Sequence, residues 1–155
     1  MSIWFVINLF ILLFAIWKIT SGDYINLPII FGGLGLLFIL YNWTRHAFFS
    51  SIRSNISRDL KIKLATISKK VLPFHKWTGT LSLILIVLHF CFVVYNYGFT
   101  LQSSKMLSGL LAIIALFLMV TTGWIRFFKT TYHIRLVHLI SGFYLIISVF
   151  IHLVL

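Results

Sequence analysis

The chain has no glutamate, only two aspartates, Asp23 and Asp59, and a single cysteine. One cysteine excludes an intrachain disulfide and any metal site built on paired cysteines. Cys91 is expected to be a small core hydrophobe, and it cannot share a ligand with His89, because two residues along a helix are about 200° apart. No Gly-rich phosphate loop occurs. The glycines of FGGLG, Phe31 to Gly35, fall inside an apolar run and read as helix-packing residues. Charged residues make up 10% of the chain against 61% hydrophobic, with a mean hydropathy of +1.06. That usage excludes an ordinary soluble domain.

What is abundant is apolar sequence in long runs. A bilayer core of about 30 Å takes roughly 20 such residues as helix, and five stretches qualify, at about 2–18, 25–43, 73–97, 106–126 and 134–155. The expected fold class is all-α: one domain over residues 1–155, an integral membrane bundle of five transmembrane helices. The first stretch has no basic residue before it and no small-residue cleavage site after it, so it reads as a retained span rather than a signal peptide. Trp4, Trp17, Trp43, Trp77 and Trp124 sit at span ends, where interfacial indoles are expected.

The net charge of +11 is unevenly placed. Arg45, Arg53, Arg58, Lys61, Lys63, Lys69, Lys70 and Lys76 surround the second connection, and Arg126, Lys129 and Arg135 the fourth. The first and third connections offer only Lys18 and Lys105. The positive-inside bias therefore predicts a multi-pass protein of the cell membrane with its N-terminus in the cytoplasm and its C-terminus outside. Topology accounts for these charges and leaves no soluble face for a nucleic-acid groove. Within the second connection, Ile52, Ile56, Leu60, Leu64, Ile67 and Val71 recur at steps of three or four with basic residues between them. This predicts an amphipathic cytoplasmic helix over about 50–71, lying on anionic lipid or presenting a docking face to a cytosolic partner.

Polar side chains are rare inside the spans, and four of them are histidines. His75 and His89 are fourteen residues apart in the third span, and His138 and His152 repeat that spacing in the fifth. Each leading histidine is followed four residues later by glycine, Gly79 and Gly142, giving H-x3-G-x9-H twice. Fourteen residues return to within about 40° of the same helix face and advance about 21 Å. Spans separated by one other run parallel, so His75 should meet His138 near the inner face and His89 should meet His152 near the outer one. Paired neutral imidazoles facing each other across a helix gap are what bis-histidine ligation of haem iron requires. A glycine one turn from the inner ligand would let a flat macrocycle approach the backbone. His46 and His133 lie beside basic residues at the predicted interface and read as solvated or as headgroup contacts.

These residues resemble the transmembrane domain of the ferric reductase and NADPH oxidase superfamily, which opens its third span with H-[RK]-x-x-G and carries histidine pairs in the third and fifth spans. His75, Lys76 and Gly79 match that opening, His89 is the second ligand, and YHIRLVHLISG, Tyr132 to Gly142, is similar to the start of the family's fifth span. The resemblance implies two b-type haems, held by His75 with His138 and by His89 with His152, with Gly79 and Gly142 beside them. It implies an oxidoreductase membrane subunit whose FAD or FMN sits on a separate cytosolic flavoprotein reductase. An extracytoplasmic acceptor, ferric iron, oxygen or a redox protein, would take the electrons. Lys76 and Arg135 are candidates for the inner haem's propionates and Lys105 for the outer's.

This chain departs from the family in ending three residues past His152, without a sixth span, so a part of a larger oxidase is one reading. It also departs in carrying His133 where an acidic residue is usual, and Val93 where oxygen-reducing members often place a polar group. Hetero- or homo-oligomers stay open. So does a haem-free transporter or assembly subunit using the histidines for protons or divalent metal, although neither aspartate lies in a span.

Overall fold

The computed structural model describes residues 3–22 and 25–155, so Ser2, at which the first span is expected to begin, and Asp23 lie outside the described residues. Five helices follow in order: α1 (Ile3–Thr20), α2 (Leu27–Arg53), α3 (Arg58–Tyr97), α4 (Ser104–Phe128) and α5 (Tyr132–Val154). Local chemistry sets most of the ends. Asn26, Ser103 and Thr131 each cap a helix by accepting a hydrogen bond from the backbone N–H three residues on. Pro28 occupies the first turn of α2, where its missing N–H costs nothing. Gly98 stops α3 at φ 74°, a left-handed conformation that glycine adopts without strain.

All five helices contain a segment long and apolar enough to cross a membrane: Ile3–Thr20, Leu27–Arg53, Pro73–Tyr97, Ser104–Phe128 and Tyr132–Val154. The chain is an all-α membrane bundle. Large apolar side chains such as Leu9, Ile84, Phe117 and Tyr144 point outward, as they do where the solvent is hydrocarbon.

The expected helix over about 50–71 is not a separate element. Residues 50–53 are the last turn of α2, the chain breaks at Ser54, and the amphipathic residues from Arg58 onward run straight into the third span as one 40-residue helix. Pro73 lies inside α3 without ending it. A helix of that length is about 60 Å long, roughly twice the bilayer core, so one element carries both the basic stretch and the third span.

The core is built by α1, α2, α4 and α5, through Ile11, Ala15, Leu36, Ile39, Leu40, Trp43, Ala112, Leu116, Leu145 and Ile146. In lipid no hydrophobic effect drives helices together, so association relies on close packing and on buried polar contacts. Gly35 shows the first: a Cβ there would stand 2.6 Å from Ile86 Cδ1, so its absence lets α3 close onto α2. Asn8 shows the second, donating to the Leu40 carbonyl at 3.2 Å between α1 and α2. The closely packed pairs are α2 with α3, α4 with α5, α1 with α2 and α3 with α4; α3 and α5 are not among them. That gap is where the histidines stand.

Candidate functional site

His75 and His138 face each other across the gap with ring centroids 6.4 Å apart, and His89 and His152 do so at 6.3 Å, in near-perpendicular planes of 74° and 88°. Leading histidine meets leading histidine, so α3 and α5 run parallel. Ring nitrogens aimed straight at one another over this distance are about 4 Å apart, beyond hydrogen-bond reach of about 3.2 Å. The same separation is twice a metal–imidazole bond of about 2.0–2.1 Å. Each separation leaves room for one atom shared by the two rings.

The backs of three rings are fixed. His89 Nδ1 lies 2.7 Å from the Pro28 carbonyl, His138 Nδ1 2.9 Å from the Met119 carbonyl and His152 Nδ1 2.9 Å from the Lys105 carbonyl. A carbonyl only accepts, so each Nδ1 carries the proton and each Nε2 keeps its lone pair, the tautomer of a metal-ligating imidazole. Two rings have a second acceptor. Thr122 Oγ1 donates to the Leu118 carbonyl and turns its lone pair to His138 Nδ1 at 3.2 Å. Ser108 Oγ donates to the Lys105 carbonyl and stands 3.3 Å from His152 Nδ1.

Glycines make these contacts reachable. Four residues beyond each carbonyl, on the same helix face, stand Gly32, Gly123 and Gly109. A Cβ at Gly32 would be 2.9 Å from His89 Nδ1, one at Gly109 3.0 Å from His152 Cε1, and one at Gly123 3.4 Å from His138 Cε1. The rings therefore lie in notches cut into α2 and α4. Gly32 belongs to FGGLG, so that motif seats a ring as well as packing helices. On α4 the notch of Ser108 and Gly109 recurs fourteen residues later as Thr122 and Gly123, echoing the histidine spacing on α5. That echo is the signal a reading of single residues passes over.

Between His75 and His138 lies a partly open cavity, lined also by Asn42, Gly79 and Met119, with an adjoining one reaching Arg45, Trp77 and Arg126. Gly79 borders this space, whereas Gly142 is filled against: a Cβ there would meet Trp43 Cζ3 at 3.2 Å. Lys76 lines the cavity with its ammonium 4.2 Å from the Trp124 ring centroid and 4.0 Å from that of Phe127. Arg45 and Arg126 stand at the mouth, and the Nε atom of each is buried without a hydrogen-bond partner. Arg135, by contrast, is exposed and lines neither cavity. The side chain of Lys105 is exposed, and its contribution to the far pair is its carbonyl.

Several residues stand elsewhere than expected. His46 is half-buried, enclosed by Trp4, Trp43 and Phe143 at 5.0, 5.0 and 5.2 Å, because α1 and α5 both bring rings to that face of α2. Trp43 is 8% exposed, a core residue and no interfacial anchor. Cys91 is exposed on the outer face of α3, not in the core. His133 is exposed and packs edge-on against Tyr132.

Among the described residues no group of three or more His, Cys, Asp or Glu side chains could hold a metal ion. Two ligands per station leave a bare divalent ion short of the four it ordinarily takes. A metal that arrives with an equatorial set of its own needs only two. No protein-family model matches this chain, and no curated protein or solved structure matches it.

Proposed function

We propose that the chain is a di-haem b-type membrane protein that carries electrons from a cytosolic flavoprotein reductase to an acceptor outside. The observation that carries this reading is the pair of 6.3–6.4 Å ring separations, with Nδ1 of three of the four rings held by a carbonyl so that Nε2 keeps its lone pair. Haem iron would suit a station of two histidines because its macrocycle brings the remaining ligands, and held there it would supply one-electron chemistry. His75 with His138 would hold the first group and His89 with His152 the second. Arg45 and Arg126, each with a buried, unpartnered Nε, would bind the acidic substituents of the first, together with Lys76, which lines the same cavity, and in place of Arg135, which does not.

The chain's own residues do the positioning. The Pro28, Met119 and Lys105 carbonyls hold the rings upright, and the notches at Gly32, Gly123 and Gly109 keep them from swinging. Two stations about 21 Å apart along α3 bridge most of a core of about 30 Å, which neither does alone. The basic end, holding Arg45, Lys76 and Arg126, is read as cytoplasmic by its charge.

An absorption spectrum of the purified, dithionite-reduced protein tests the cofactor: a b-type spectrum is expected, and its absence after expression with haem supplied overturns the reading. Orientation is checked with Lys61→Cys in a Cys91→Ser background, which an impermeant thiol reagent should label from the cytoplasmic side only.

A further inference from the structure

Three of the four histidines have a carbonyl acceptor behind the ring and a glycine beside it, and His75 has neither. One register governs α2 against α3: Gly32 faces His89, Gly35 faces Ile86 and Asn42 faces Gly79. Continued by four residues, it sets His46 level with His75. Asn42 and His46 thus occupy, fourteen residues on, the places that Pro28 and Gly32 hold for His89. The side chain of Asn42 is engaged by the Thr78 hydroxyl at 2.8 Å, and His46 fills the place of the notch glycine. His75 Nδ1 is buried with no hydrogen-bond partner.

We propose, resting on the haem reading above, that this missing acceptor makes the His75/His138 station the one of higher reduction potential. An electron delivered from the cytoplasmic side would then be held more favourably at this station than at the far one. An Nδ1–H donated to a carbonyl pushes electron density toward Nε2, making the imidazole a stronger donor that favours the oxidised, more positive metal. The far station has two such rings and the basic-end station has one. Fixed charge acts in the same sense. Arg45 and Arg126 are half-buried near His75 and His138 and favour the reduced state through a medium of low dielectric. The cations at the far end are Lys105, exposed and screened by water and salt, and Lys18, half-buried with its ammonium donating to the Val154 carbonyl at 3.3 Å, so that end has one half-buried cation against two. Acidic haem substituents come equally to both stations and cancel in the comparison.

The test is a spectroelectrochemical titration of the haem-loaded protein in detergent. Two one-electron waves are expected, separated by at least tenfold in equilibrium constant, which is 59 mV for a one-electron couple. His138→Ala should abolish the upper wave and leave the lower. Gly32→Ala changes no iron ligand but pushes the His89 ring off the Pro28 carbonyl, and it should raise the lower wave toward the upper. Where His138→Ala does not fold, Gly32→Ala and Ser108→Ala assign the waves by themselves, since both should move only the lower. Coincident waves, loss of the lower wave in His138→Ala, or an upward shift of the upper wave in Gly32→Ala overturns this inference while leaving the two-haem reading intact. A protein that binds no haem overturns that reading, and this one falls with it.

Discussion

At the far station both imidazoles are clamped from behind, His89 by the Pro28 carbonyl and His152 by the Lys105 carbonyl. At the basic-end station only His138 is clamped, and His75 opens onto a cavity edged by Arg45 and Arg126. Spacing and ring separation are nearly the same in the two. The difference teaches that a histidine motif repeated on two helices need not have equivalent surroundings at its two ends, because the opposing helices supply them. On α4 the surroundings repeat with the ligands. On α2 they do not, because His46 stands where a fourth notch glycine would.

The largest expected effect that would sharpen this comparison is loss of a whole group. His75→Ala and His138→Ala should each lower a pyridine haemochrome assay from two haems per chain to one, and His89→Ala and His152→Ala should do the same at the other station. Double variants settle the pairing: His75→Ala with His138→Ala should retain one haem, whereas His75→Ala with His152→Ala should retain none. Retention of one haem in the second double variant would break the assignment of pairs.

Next in size is Gly109→Val, whose side chain would start 3.0 Å from His152 Cε1 and displace that ring. The far haem should be lost while the chain stays monodisperse. Gly79→Val provides the matching probe at the other station. A Cβ there would meet Asn42 Nδ2 at an ordinary 3.8 Å, and the position borders the cavity. Its effect should be confined to the basic-end haem, and loss of the far haem instead would contradict the placement.

Smaller again is the double change Arg45→Ala, Arg126→Ala. It removes the groups with buried, unpartnered Nε atoms beside His75 and should weaken haem retention at that station by about tenfold, the lower part of the range for supporting partners of a metal ligand. Competition with apomyoglobin measures it, and equal loss from both stations would mean the arginines act on the bundle as a whole. The smallest effects belong to the hydroxyls. Thr122→Val and Ser108→Ala each delete a second, longer acceptor at 3.2 and 3.3 Å while leaving the carbonyl in place. Each should raise one potential by less than tenfold in equilibrium constant, Thr122→Val the upper wave and Ser108→Ala the lower.

Much of this architecture is legible in one dimension. Five apolar runs, two of them carrying a histidine every fourteen residues, are enough to expect a five-helix bundle with parallel third and fifth spans, because hydrocarbon leaves the backbone little alternative to helix. Hydropathy could not show that the basic stretch after Ser54 and the third span are a single helix. Proline at position 73 looks like a boundary, yet the helix passes through it. Tryptophan position was also misleading at Trp43, which reads as an anchor and is buried against Gly142 and Trp4.

The sequence by itself determined the five apolar spans and which histidines face each other, since both follow from periodicity along one chain. Only the tertiary structure decided what stands behind each ring. A notch glycine and the carbonyl four residues before it mean nothing until another helix brings a histidine to them, and which glycine meets which ring depends on helix register. The same holds for Arg45 and Arg126, ordinary topological charges in the sequence, which become a pair at one cavity only because α2 and α4 end on the same side of the bundle. Contacts between helices are set by packing, and packing is a property of surfaces that no single span contains.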